Sequence, residues 1–163
     1  MSSDTVTALA DLVGAKLKAR GLMLATAESC TGGWVAQAVT AIAGSSDWFD
    51  RGFVTYSDTA KREMLGVSAG TLAKHGAVSE QTAREMAAGA LAHSRAQVAL
   101  AITGIAGPSG GSPEKPVGTV CFVWSRQDAA PIAQTRQFQG DRESVRRQSV
   151  CAALQGVLDM LEA

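Results

Sequence analysis

The stretch Thr26–Val35, TAESCTGGWV, crowds a carboxylate, hydroxyls, a thiol and two glycines between an apolar run, LMLA, and a helix-like segment, VAQAVTAIAG. A strand that turns abruptly into a helix exposes its corner side chains. It also aims the first helical N–H groups, with the helix's partial positive charge, at whatever sits there. Ser29 at such a corner has the exposure and the neighbouring oxyanion donors that an acyl-transfer nucleophile needs, and Gly32 and Gly33 let a ligand approach the backbone. The same run also reads as plain helix capping, with no chemistry attached. Cys30 is either a second candidate nucleophile or a small buried apolar residue.

A free hydroxyl is a poor nucleophile at neutral pH, so a serine mechanism needs a base. The two histidines, His75 and His93, fall in or at the ends of expected helices, away from the strand ends. Of the lysines Lys16, Lys18, Lys61, Lys74 and Lys115, only Lys61 sits in the first turn of a helix that follows a strand, RGFVTYS. The helix dipole and partial burial both disfavour its ammonium, toward the ~7–8 that suits a general base. Asp58 opposes them, which leaves the net sign open. Tyr56 is either a half-buried strand aromatic or a hydroxyl near Lys61 able to relay a proton.

Two further features suit an anion. The run GIAGPSGG can cradle phosphate through backbone N–H groups, or be a plain turn; it lacks the lysine and Ser/Thr of a P-loop. Arg142, Arg146 and Arg147 lie near the start of the last helix, ordinarily a solvated face, with Arg142 at the helix mouth best placed for an anion. Glu28 reads as an orienter of the loop, a partner for ribose hydroxyls or a cap-like structural group.

The elements that must position these groups follow from periodicity. A helix is expected at Asp4–Arg20, capped by Ser3 or Asp4 and stopped by Gly21, then a strand at Leu22–Ala27 and a helix at Gly32–Ala43. A strand at Arg51–Ser57 precedes helices at Thr59–Leu65, Ser68–Lys74 and Glu80–Ser94, the last capped by Ser79. Strands at Gln97–Thr103 and Val117–Trp124 are apolar on both faces, Ile132–Gln139 alternates as an exposed hairpin partner, and Asp141–Leu161 is an amphipathic helix. That order predicts an α/β protein, a three-layer α/β/α sandwich around a mixed β-sheet, as one domain over residues 1–163. Ligands of such sheets bind at the carboxyl ends of strands, where the loops Glu28–Gly33, Ser57–Thr59 and Gly104–Pro116 should converge.

Composition narrows the function classes. Fifteen basic residues balance fifteen acidic ones, and aromatics are too few to interleave with basic clusters, so nucleic acid is not an expected partner. Three widely spaced cysteines with no C-x-x-C give neither a disulfide framework nor a zinc site, so no metal and a cytoplasmic location are expected. No apolar run nears the ~20 residues that span a bilayer, and the N-terminus does not read as a signal peptide, so no membrane association is expected.

AESCTGG, GSSDWFDRGFVTYS, the HGAVSE segment, TGIAGPSGG followed by KPVGTV, and GDRESVRRQ together resemble the CinA C-terminal domain family, from about residue 5 to about residue 158. The resemblance implies an amidohydrolase acting on nicotinamide mononucleotide, a small-molecule nucleotide, to give nicotinic acid mononucleotide and ammonia, with no cofactor and no metal. It implies Ser29 as nucleophile, Lys61 as base and Tyr56 as its helper. Thr31, Gly32, Gly33, Ser46, Thr103 and Gly104 are implied as substrate-binding groups, with Arg142 anchoring the phosphate. It implies a homodimer, for which the apolar face of the last helix offers one contact. Longer members carry an additional N-terminal pyrophosphatase domain, whose activity is not expected of this chain. A non-catalytic nucleotide-binding or regulatory module, linked to competence or DNA damage, is the alternative.

Overall fold

A computed structural model describes residues 3–163. Five strands, β1 (Leu24–Glu28), β2 (Phe49–Val54), β3 (Val98–Gly104), β4 (Thr119–Arg126) and β5 (Ile132–Gln137), form one sheet in the order β2-β1-β3-β4-β5. β1 pairs parallel with both β2 and β3, whereas β3–β4 and β4–β5 are antiparallel, so the sheet is mixed. The hydrophobic pattern explains the order. β1, β3 and β4 are buried along almost their whole length and take the centre, while β2 and β5, with polar residues facing water, take the edges.

Helices cover both faces. α1 (Ser3–Arg20), α2 (Trp34–Thr40) and α6 (Arg142–Glu162) pack on one side through Val13, Leu17, Val35, Val39, Leu154 and Val157. α3 (Asp58–Leu65), α4 (Ala69–His75) and α5 (Glu80–Ala92) lie on the other, where Leu65, Met86, Ala87 and Ala90 meet the small alanines of β1 and β3. The expected three-layer α/β/α sandwich is therefore the observed fold. Gly89 on α5 lies so close to α3 that an added Cβ would sit 2.0 Å from the Leu65 carbonyl oxygen, which fixes how deeply the helix carrying Lys61 is seated.

Element ends differ from the sequence reading where local chemistry intervenes. α2 begins at Trp34 rather than Gly32, because Gly32 (φ 60°) and Gly33 (φ 100°) take left-handed conformations that a helix cannot use. It also ends early, at Thr40, and a 3-10 turn (Ser45–Asp47) leads into β2. β2 stops at Val54 because Ser57 is the cap of α3, its Oγ accepting from the Ala60 N–H at 3.0 Å. Ser79 and Asp141 cap α5 and α6 in the same way. Ser3 and Asp4, expected to cap α1, are already helical, and the residues before them lie outside the described range. The apolar face of α6, a candidate dimer contact from sequence, is consumed in the chain's own core: Leu154 and Val157 are fully buried.

The chain leaves β1 toward β2 on one side and β3 toward β4 on the other. A crevice opens at the carboxyl ends of β1 and β3. No helix among the described residues is long and apolar enough to cross a membrane.

Candidate active site

At that crevice lies a cleft of about 250 Å³ lined by Ser29, Cys30, Tyr56, Asp58, Lys61, Ala77, Val78, Thr103, Gly104, Ala106 and Arg142. Ser29 follows the last residue of β1 and is fixed by its N–H donating to the Ile102 carbonyl of β3 at 3.0 Å. Lys61 comes from the first turn of α3 and, at 1% exposure, is one of the largest fully buried side chains of the chain. Its Nζ lies 3.0 Å from Ser29 Oγ, 3.1 Å from the Thr55 carbonyl and 3.2 Å from the Tyr56 carbonyl.

Three partners around one tetrahedral nitrogen have a chemical consequence. As an ammonium, Lys61 donates to all three. As a neutral amine it gives two N–H bonds to the carbonyls, and its lone pair then points at the third vertex, toward Ser29 Oγ, whose proton can turn to it from the long 3.4 Å contact with the Tyr56 carbonyl. Burial lowers the Lys61 pKa below the ordinary 10.5; Asp58 and Cys30 push back more weakly, so the sign left open by the sequence is downward. Cys30, in contrast, is pushed up to about 12, chiefly by burial and further by Glu28, which keeps it a thiol at neutral pH.

Glu28 is settled by its contacts. It is 1% exposed; Oε1 accepts from Thr31 Oγ1 at 2.6 Å and from the Val35 N–H at 2.9 Å, and Oε2 accepts from the Ala36 N–H at 3.1 Å. Alternation along β1 turns Glu28 toward the α2 layer, where a carboxylate satisfies donors of the first helical turn. The expectation that those N–H groups face an oxyanion is thereby corrected: they face Glu28. Thr31 spends its hydroxyl on the same carboxylate, and the Gly32 N–H donates to the Ser29 carbonyl at 3.0 Å. Trp34 N–H donates to the Thr31 carbonyl at 3.0 Å across Gly32 and Gly33, the mirror-image turn whose two positive φ angles call for glycines. Among the described residues, the loop amides of Cys30, Thr31 and Gly33 have no backbone acceptor.

The remaining expected groups divide. Thr103 and Gly104 reach the cleft, although the Thr103 hydroxyl donates to the Ala77 carbonyl at 2.8 Å and so builds the wall. Arg142 stands at the mouth, donating to the Gly107 carbonyl at 2.8 Å and reaching the Tyr56 hydroxyl at 3.4 Å. Tyr56 meets Lys61 through its carbonyl, while the residue is 64% exposed and its hydroxyl turns to Arg142, so the relay geometry expected from sequence is replaced by a bridge across the rim. Ser46 does not join the site. It lies in the turn before Phe49, at the amino end of a strand parallel to β1, and the cleft is at the other end of both.

Arg146, expected on a solvated face of the last helix, turns instead to the loop after Ser29. It donates from Nε to the Cys30 carbonyl at 3.0 Å and from a terminal nitrogen to the Thr31 carbonyl at 3.2 Å, with its guanidinium 5.5 Å from the Trp34 ring centroid. The signal available was its spacing of four from Arg142, which puts both on one face of α6.

These features define a three-layer α/β/α protein with a buried serine–lysine contact at the carboxyl edge of a mixed sheet. The CinA C-terminal domain model matches residues 6–161. The chain is 56% identical over 155 residues to the nicotinamide-nucleotide amidohydrolase PncC of Escherichia coli K12, covering 95% of this chain and 94% of that protein. It is 48% identical over 157 residues to the PncC of Pseudomonas putida, covering 96% and 98%. The crystal structure of the competence/damage inducible protein CihA from Agrobacterium tumefaciens is similar with a TM-score of 0.93 and 48% identity, covering 98% of this chain and 96% of that one. The chain belongs to the CinA C-terminal domain family.

Proposed function

We propose that this chain hydrolyses the carboxamide of nicotinamide mononucleotide to nicotinic acid mononucleotide and ammonia, as one catalytic unit over residues 1–163. The observation that carries the reading is the buried Lys61 amine 3.0 Å from Ser29 Oγ, with both of its other contacts taken by uncharged carbonyls. The amidohydrolase names of relatives that match along nearly their whole length supply the substrate class.

Ser29 Oγ attacks the carboxamide carbon while neutral Lys61 takes its proton. The carbonyl oxygen becomes an oxyanion facing the loop amides. Lys61 returns the proton to the departing nitrogen, the C–N bond breaks, and ammonia leaves a serine ester. Water, deprotonated by the same amine, attacks the ester, and the carboxylate product departs as Ser29 recovers its proton. Arg142 at the rim suits the phosphate, and Gly104 lets the substrate approach the backbone, whereas Gly32 and Gly33 are not among the residues that line the cleft. In this reading Tyr56 closes the rim with Arg142, Thr103 shapes the wall, Thr31 braces the loop through Glu28, and the chain works as a homodimer in the cytoplasm.

Ammonia release from nicotinamide mononucleotide tests the reading. Wild type should turn over, and Ser29→Ala and Lys61→Ala should each lose about 10²-fold or more while remaining folded. Undiminished turnover in either variant removes that residue from the mechanism. Binding of the nucleotide by wild type with no product would favour a non-catalytic module.

A further inference from the structure

The contact between Ser29 and Lys61 does not account for Arg146, which reaches from α6 to a loop 115 and 116 residues earlier in the chain. A solvated arginine has no reason to converge on two successive carbonyls. A planar guanidinium fork does this with little further entropy loss once its plane is set, and the Trp34 ring sets it. Arg147 stacks on the same ring at 5.0 Å but pairs with Glu143, so the two neighbours separate ring packing from loop contact.

The carbonyls that Arg146 holds orient the amides of the same peptides. In a trans peptide the C=O and N–H point to opposite sides. Drawing the Cys30 carbonyl toward α6 therefore turns the Thr31 N–H away from α6. The next peptide, whose carbonyl Arg146 also holds, has its N–H on Gly32, and that donor is already spent on the Ser29 carbonyl. The amides of Val35 and Ala36 are spent on Glu28. The Thr31 N–H, two residues from the nucleophile, is thus the loop donor whose direction Arg146 governs.

We infer that Arg146 is a positioning residue for hydrolysis. It locks the Cys30–Thr31 peptide so that the Thr31 N–H faces the substrate carbonyl oxygen as that oxygen becomes negative. The inference rests on the reading of Ser29 as nucleophile. It assigns Arg146 no contact with substrate, so its loss is felt in the transition state rather than in binding.

Steady-state ammonia release should be measured for wild type, Ser29→Ala, Arg146→Ala, Arg146→Lys and Arg147→Ala, with melting temperatures alongside. Arg146→Ala should lower kcat about 100-fold with KM nearly unchanged, the size expected when one oxyanion donor is misplaced. Methylguanidinium should restore part of the lost kcat and methylammonium should not. Arg146→Lys, able to reach one carbonyl, should fall between, and Arg147→Ala should keep its kcat. Wild-type kcat in Arg146→Ala, or a loss that merely follows the unfolded fraction with no rescue, overturns the inference. If Arg146→Ala does not fold, Arg146→Lys decides: reduced kcat at unchanged KM supports it, and wild-type kcat overturns it. An active Ser29→Ala sinks the nucleophile reading and this inference with it. An inactive Ser29→Ala beside a fully active Arg146→Ala sinks the inference alone.

Discussion

Replacing Glu28 by glutamine changes one atom of a group that holds three bonds. The carboxylate accepts from Thr31 Oγ1 and the Val35 N–H through one oxygen and from the Ala36 N–H through the other. Glutamine can keep the first oxygen in place, but its NH₂ then confronts the Ala36 N–H donor to donor. One charge-assisted bond worth about 1.5–3 kcal/mol is lost, and a desolvated donor costing about 1–3 kcal/mol is left behind. Solvent screens little at 1% exposure, and partial relaxation of α2 brings the net near ~3 kcal/mol. For a chain of this length that corresponds to a fall of roughly 6–12 °C in Tm. Circular dichroism melts of wild type and Glu28→Gln measure it directly. Ammonia release, assayed well below both transitions, should also fall by about tenfold, since the loop carrying Ser29 loses its anchor to α2. An unchanged Tm with a raised KM would refute this reasoning and place the carboxylate on a substrate hydroxyl, the alternative that the sequence left open.

Other consequences follow from the ionisation of the site. Because burial lowers the Lys61 pKa, log kcat/KM should rise with pH and level off at an inflection below 10.5; an inflection at or above that value contradicts the lone-pair geometry. The sign for stability is the same. The folded chain binds fewer protons than the unfolded one between the two pKa values, so the Lys61 contribution favours folding more as pH rises through that window and is lost as pH falls through the folded pKa. With Cys30 pushed up to about 12, iodoacetamide at pH 7 should leave ammonia release intact over times that consume a free model thiol, and rapid inactivation would reopen a thiolate mechanism.

The layers and the convergence of loops were legible in the sequence because period and turn chemistry are local. Gln97–Thr103 and Val117–Trp124 read as two-sided strands because helices cover both faces of β3 and β4, and the serine and lysine stand at strand-to-helix joints that turn chemistry marks. What escaped depends on contacts between distant segments. Nothing near Glu28 announces that α2, and not a ligand, uses its carboxylate, and α2 is shorter than its sequence suggests because Gly32 and Gly33 resemble a helix start yet take positive φ angles. The grip of Arg146 on Cys30 and Thr31 spans more than a hundred residues. Ser46 stands away from the cleft for a related reason: motif order along the chain does not say at which end of a parallel strand its members lie.

The candidate base is aimed by main-chain oxygens of Thr55 and Tyr56, not by the side chains of those two residues. Its bearing is written in the course of the polypeptide between β2 and α3, so other residues could occupy both places and leave the amine facing the same way. What this corner cannot accommodate is a change in loop length: one inserted residue would carry both oxygens out of register and turn the amine loose in an otherwise intact cleft.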